Sequence, residues 1–240
     1  MMNQRLKGIY MDEKERLKQS AAESAVDFIR SGMVIGLGTG STAFFAIKKI
    51  AQQLHDNFLK DVVAVPSSLA TEREALRFGI PLTTLDEHPA INLTIDGADE
   101  VDPQLNLIKG KGGALLREKI LIQASRRTII IIDESKLSSR LGDTSPVPVE
   151  VLPFAWKPAA LYLTSLGGTV IHRMLPDGQP FMTDQGNYIL DCNFGPIEEP
   201  AHLSLKMKEH AGIVEHGLFI GLVSDVIVAG QSGINHLKTK

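Results

Sequence analysis

The 240-residue chain has a single cysteine, Cys192, so no disulfide can form within it. That fits a reducing, cytoplasmic setting. No apolar run approaches the roughly 18 consecutive residues that a membrane-spanning helix requires. The segment after Met11, DEKERLKQSAAESAVDFI, lacks the apolar centre of a secretory leader. A surplus of one charge is missing too: 25 Lys and Arg face 28 Asp and Glu, for a net charge of −3. Such a balance excludes general binding to nucleic acid or a membrane surface, and an anionic ligand must be held by local lysines and backbone amides. The histidines (His55, His88, His172, His202, His210, His216, His236) show no His-x-His or HExxH spacing, and one cysteine builds no zinc cluster. There is no Gly-x-Ser-x-Gly elbow for acyl transfer and no Walker-type Gly-Lys-Ser/Thr. Proton-transfer chemistry is therefore expected to run without a metal or cofactor.

What is present is an alternation of helix and strand signals. Leu17, Ala21, Ala25, Phe28 and Ile29 recur at helical spacing over residues 12–30, whereas residues 1–10 show no such pattern. A buried strand at 33–37 leads to a helix from Ser41 to about Leu54, then a strand at 62–65. Ser67 or Ser68 can cap a helix running to Phe78. A short strand at 82–85, an apolar run from Ile91 to Ile95, a helix at 114–125 and the β-branched run Thr128–Ile132 follow. Continuous apolar strands between helices suit a doubly wound α/β layer with a mostly parallel sheet. At Pro146-Val147-Pro148 the pattern changes. Val147, Val149 and Val151 alternate as in a half-buried strand, and a helix is expected at 158–166. Strands at 169–173 and 187–191 flank a Pro176-Asp177-Gly178 turn, and a helix at 201–209 comes next. Asp225–Ala229 reads as a strand returning to the first sheet. The expected organisation is an α/β catalytic domain of residues 1–145 plus 219–240. A smaller, mostly antiparallel α+β domain of residues 146–218 is inserted before the C-terminal strand.

Two stretches carry chemistry. Gly38-Thr39-Gly40-Ser41-Thr42 follows a strand and opens a helix, where outward amides and the helix dipole favour an anion. The same letters fit a loose dinucleotide pattern, but the next strand ends in Val65-Pro66-Ser67-Ser68 without the carboxylate a ribose requires. A monophosphate or sugar-oxygen site is the better reading, with a plain tight turn open beside it. The second stretch runs from Asp96 to Lys119. Asp96 and Asp99 leave a strand at its carboxyl end, the ligand-binding edge of open α/β sheets, and Gly97 and Ala98 leave room between them. A solvated turn with a capping aspartate is the plainer alternative. Lys109, beside the flexible backbone of Gly110, Lys111, Gly112 and Gly113, is placed to neutralise an enediolate oxygen. A basic surface loop has the same letters, and Lys111 fits that better. Glu118, between Arg117 and Lys119 on the next helix, reads from pattern alone as a surface residue. Lys136 closes a strand on the same sheet edge, equally an anion partner or a surface lysine.

In order and spacing, GTGST at 38–42, DGADE at 96–100, KGKGGA at 109–114 with Arg117-Glu118-Lys119, and DESK at 133–136 resemble ribose-5-phosphate isomerase of the A type. The resemblance runs from about Met11 to the C-terminus; each motif alone is weak, and their succession is specific. It implies a metal-free enzyme without cofactor that interconverts ribose 5-phosphate and ribulose 5-phosphate through a cis-enediolate. It implies Glu118 as the base between C1 and C2, Lys109 and adjacent amides as enediolate stabilisers, and Asp96 and Asp99 on sugar hydroxyls. Thr39, Gly40, Ser41, Thr42, Gly97, Ala98, Gly110, Lys111, Gly112 and Lys136 would complete substrate binding. A homodimer or homotetramer is implied as well. Lys111 departs from the glycine usual there, and 217–240 matches only loosely. Two rivals stay in view. A sugar-phosphate-binding regulator would need a DNA-binding helix-turn-helix, which one helix in residues 1–30 does not supply. A related sugar-phosphate enzyme is the other, and the paired D-G-A-D and K-G-x-G-G segments argue against it. Whether GTGST or the lysines at 109, 111 and 136 hold the phosphate is open.

Overall fold

The computed structural model describes residues 12–239, so the expectation for residues 1–10 lies outside the described residues. The first half runs α1 (Glu13–Val26), β1 (Val34–Leu37), α2 (Ser41–His55), β2 (Val63–Pro66), α3 (Leu69–Arg77), β3 (Leu93–Asp96), β4 (Glu100–Val101), β5 (Leu107–Ile108), α4 (Leu115–Gln123) and β6 (Thr128–Asp133). The second half adds β7 (Val147–Val151), α5 (Trp156–Ser165), β8 (Thr169–His172), β9 (Tyr188–Asn193), α6 (Pro200–Lys208), β10 (Ile213–His216), β11 (Leu218–Phe219), β12 (Asp225–Gly230) and β13 (Gly233–Lys238).

Six strands form the main sheet in the order β13-β12-β6-β3-β1-β2, parallel throughout except for β13. The run TIIIID of β6 is buried at every position because both faces are covered. Ile129 and Ile131 pack with Ala21, Ala22 and Ala25 of α1 and Ile47 and Ile50 of α2. Ile130 and Ile132 meet Leu107, Ile122 and Phe219 on the other side. This period-two division of one apolar strand between two cores is what a doubly wound sheet demands. Side chains of α1 shrink to alanine where the helix lies on the sheet, and Asp225–Gly230 joins β6 in parallel as the expected return strand. Ser68 caps α3 by accepting from the Thr71 amide at 3.0 Å.

A second, antiparallel sheet has the order β10-β7-β9-β8 and its own core around Val147, Val149, Val151, Leu163, Leu190 and Met207. Two expectations need correction, and two features went unread in the sequence. Residues 82–85 form no strand; Leu82 makes only an isolated bridge to Ala64. β7 is buried on both faces rather than half-buried. Its Glu150 is covered because Oε1 accepts from Thr183 Oγ1 at 2.9 Å and Asn187 Nδ2 at 2.8 Å, so the alternating polar position faces a turn, not water. β13 pairs antiparallel with β12 at the sheet edge, where GINHLK gave no apolar signal. A three-stranded sheet, β11-β5-β4, is built from two-residue strands too short to show a period.

Candidate active site

Parallel strands joined by helices bring their following loops to one edge, and the loops after β1, β3 and β6 meet there. Gly38 makes the contact possible. A Cβ at that position would lie 2.0 Å from Asp96 Oδ1 and 2.6 Å from Asp96 Cα, so only glycine lets the 38–42 loop cross β3. The loop is then fixed by hydroxyls. Thr39 Oγ1 lies 2.8 Å from Ser67 Oγ, 2.9 Å from Ser68 Oγ and 3.0 Å from Thr71 Oγ1, while Thr71 Oγ1 donates to Gly38 O at 2.9 Å. The pair Ser67-Ser68, which argued against a dinucleotide, thus props the 38–42 loop. With α2 starting at Ser41, its first amides have no intrahelical acceptor.

Lys109 follows β5, donates its amide to Gly217 O at 2.9 Å and is 2 % exposed. Its Nζ sits 2.9 Å from Asp96 Oδ2 and 3.3 Å from Glu118 Oε1. Burial alone would lower the Lys109 pKa, but Asp96 and Glu118 outweigh it and hold the ammonium above its ordinary value. Glu118, in the first turn of α4, is 5 % exposed. Burial pushes its pKa up to about 8 against the pull of Lys109, with Asp96 and Asp99 adding repulsion. Its Oε2 has no hydrogen-bond partner among the described residues. The neighbouring Lys119 turns the other way: Nζ donates to His216 O at 2.6 Å, Leu218 O at 2.9 Å and Glu215 Oε1 at 2.8 Å. Burial would raise Glu215, yet Lys119 beside it brings its pKa down to about 2. The adjacent residues of Arg117-Glu118-Lys119 therefore face different bodies of the protein.

One cavity of ≈ 350 Å³ opens over this cluster, lined by Thr39, Gly40, Ser41, Thr42, Gly97, Ala98, Asp99, Lys109, Gly110, Lys111, Gly112, Glu118 and Lys136. That is the small end of ligand-pocket sizes, about 300–1,000 Å³, and suits a monophosphate better than a dinucleotide. Asp96 departs from its expected place on a sugar hydroxyl. It is fully buried, Oδ1 accepts from the Thr39 and Gly97 amides at 3.2 and 2.7 Å, and Oδ2 faces Lys109, so it lies behind the cavity wall. Asp99 is in the wall, with Oδ2 accepting from the Lys111 amide at 2.9 Å. Two lining residues went unread in the sequence, Lys14 and Lys18 of α1. Their four-residue spacing was the only signal; that α1 lies against α2, with Lys18 Nζ 2.9 Å from Ser41 Oγ, is a fact of topology.

Fold and site together define a class: α/β proteins with a buried carboxylate–lysine cluster beside a small-anion cavity at the sheet's carboxyl edge. Residues 63–233 match the model of the family ribose 5-phosphate isomerase A (phosphoriboisomerase A). Ribose-5-phosphate isomerase A of Chloroflexus aurantiacus is 57% identical over 225 residues, 94% of each chain. The ribose 5-phosphate isomerase structure from Plasmodium falciparum superposes with a TM-score of 0.91 at 42% identity, covering 94% of this chain and 99% of that one. A D-ribose-5-phosphate isomerase in complex with phospho-erythronic acid also gives 0.91, at 40% identity over 93% and 98% of the two chains. The chain belongs to the ribose 5-phosphate isomerase A family.

Proposed function

We propose that this enzyme interconverts D-ribose 5-phosphate and D-ribulose 5-phosphate by metal-free proton transfer, with Glu118 as the base. The observation that carries the assignment is Glu118 itself. It is a buried carboxyl 3.3 Å from a buried ammonium, opening onto the same small cavity as the start of α2. The phosphate sits against the amides and hydroxyls of Ser41 and Thr42, with Lys14, Lys18 and Lys136 around it. The sugar then extends past Gly97, Ala98 and Asp99 toward Lys109. Asp99 handles sugar hydroxyls and ring opening; Asp96 keeps Lys109 in place from behind. The Glu118 carboxylate takes the proton from C2 of the open-chain aldose, and the electron pair moves onto the carbonyl oxygen. Lys109 and the amides of Gly110 and Gly112 stabilise that enediolate oxygen. A proton passes from the C2 hydroxyl oxygen to the C1 oxygen, and Glu118 returns its own proton to C1, leaving the ketose.

The division into residues 1–145 with 219–240 and 146–218 is part of this reading, with the separate core around Val149 and Leu190 in its support. So are a cytoplasmic location, supported by a lone buried cysteine, and a homodimer or homotetramer, supported by the exposed Phe154, Leu161 and Leu205. Incubation with ribose 5-phosphate in the presence of a chelator tests the assignment. Ketose should form at an undiminished rate; no ketose overturns the activity, and loss only with chelator overturns the metal-free step. Glu118→Gln should lower kcat by roughly 10²–10⁴ while KM barely moves. Near-wild-type turnover would remove Glu118 from the role.

A further inference from the structure

We infer that Arg173 is a positioning residue for the reaction: it holds the peptide units of the 110–112 turn so that the Gly112 amide faces the cavity. The inference rests on the reading of the Lys109–Glu118 cavity as the site of isomerisation. Arg173 lies just after β8 on the antiparallel sheet, and its side chain is 16% exposed. Asp191 of β9 takes two edges of the guanidinium, Nε to Oδ2 at 2.8 Å and Nη2 to Oδ1 at 2.5 Å. That fork sets the plane and leaves Nη1 to point at the glycine turn. Nη1 donates to Gly110 O at 3.1 Å and to Lys111 O at 3.0 Å.

Those two carbonyls decide where the next two amides go. Every peptide in the described chain is trans, so each C=O and the N–H across the same bond point opposite ways. Holding Gly110 O at Arg173 sends the Lys111 N–H to the other side, where it donates to Asp99 Oδ2 at 2.9 Å. Holding Lys111 O there sends the Gly112 N–H the same way. That amide has no acceptor among the described residues, and Gly112 lines the cavity. The guanidinium charge on the carbonyl also polarises the peptide and strengthens its N–H as a donor. Gly110 O additionally accepts from the Gly113 amide at 2.9 Å, closing the turn. The far side is stopped by Phe181, whose ring lies 5.6 Å from the Arg173 guanidinium carbon. The same ring fills the space a Gly113 Cβ would need, 2.4 Å from it, at a φ of +77°. Arg173 does not line the cavity over Glu118, although with Asp99 and Lys111 it lines a neighbouring one; it acts on substrate through the turn.

The test separates aiming a donor from bracing a fold. For Arg173→Ala, kcat should fall on the order of 10²-fold, as for other misplacements of about an ångström, with KM little changed. Binding of phospho-erythronic acid, which carries a carboxylate as well as a phosphate, should weaken by a similar factor, while competition by inorganic phosphate stays as in wild type. Millimolar guanidinium should restore part of the lost kcat in Arg173→Ala and none in Glu118→Gln. Arg173→Lys should remain impaired, because an ammonium cannot span two carbonyls and a carboxylate at once. Should Arg173→Ala not fold, Asp191→Asn, which loosens the fork, carries the same kcat-over-KM signature to a smaller degree. Unchanged kcat in folded Arg173→Ala, or a loss that guanidinium does not answer and that weakens phosphate equally, overturns the inference. If Glu118→Gln is itself fully active, the failure is that of the site assignment instead.

Discussion

A carboxyl that titrates near neutrality can act as base in one direction and acid in the other, and Glu118 reaches that condition by burial beside Lys109. Because the carboxylate is the reactive form in the aldose direction, kcat/KM should rise with pH and level off above about 8. The same shift has a sign for stability. The folded pKa lies above the ordinary carboxyl value of 4.5, so the folded protein holds an extra proton between 4.5 and about 8. Its stabilising effect is complete below that window and is lost as pH rises through about 8. Glu118→Gln, which carries no charge to desolvate, should therefore gain Tm over wild type on the alkaline side and lose the advantage on the acid side. Thermal melts on both sides of the window check this; an equal difference at both would contradict the raised pKa. In the sequence, Asp96, Asp99 and Lys109 were conspicuous through their place at strand ends and beside glycines. Glu118 was not, because its weight comes from a burial that a Glu in an Arg-Glu-Lys helix turn gives no reason to expect. Asp96 was read as a ligand group for the converse reason: a strand-end carboxylate looks the same whether it faces water or a lysine behind the wall.

At the scale of elements, the proposed anion grip is a meeting of two helices. The open amides at the start of α2 come from GTGST and were legible, but the cations from α1 were not, since nothing in a run of charged helix residues says which end of a neighbour they reach. Lys18, 2.9 Å from Ser41 Oγ, should contribute to ground-state binding rather than to the chemical step. Lys18→Ala is expected to raise KM about tenfold or more with kcat nearly kept, the pattern of lost uniform binding. A fall in kcat at unchanged KM would instead place Lys18 at the reacting end. Ser68 shows why local sequence signals can mislead by being incomplete. As a helix cap it was readable, yet its hydroxyl also bonds Thr39 at 2.9 Å, tying α3 to the 38–42 loop through a contact 29 residues apart. Elements with a long apolar period were all recoverable. The two-residue strands β4, β5 and β11 were not, since they are fixed by Lys109, Gly217 and their neighbours in space and by no periodicity.

Across the whole molecule, the sequence pattern implied a parallel layer and an antiparallel insertion but not how they join. The join passes through the residue next to the proposed base. Lys119 on α4 reaches Glu215 on β10 and the carbonyls of His216 on β10 and Leu218 on β11, with burial lowering its pKa despite that carboxylate. Lys119→Met should leave those two carbonyls without their donor and Glu215 with only Lys208 and the His216 amide. Removing one partner of a buried pair costs about 3–5 kcal/mol. A clear drop in the urea midpoint is expected, with kcat falling as α4 loses its anchor; an unchanged midpoint would show the pair to be dispensable.

The single face through which Glu118 meets the cavity also governs the fate of the hydrogen it moves. The carboxyl is 5 % exposed, its Oε2 has no partner among the described residues, and a sugar bound in the cavity would cover its side toward solvent. A hydrogen lifted from C2 then waits in a pocket with few exchange partners before it is set down on C1. In deuterated water, early product should therefore carry less than one solvent deuterium at C1, some molecules keeping the atom with which they arrived. Nuclear magnetic resonance of product from the first turnovers would reveal it, and complete labelling at that stage would mean that water reaches Glu118 faster than the sugar turns over.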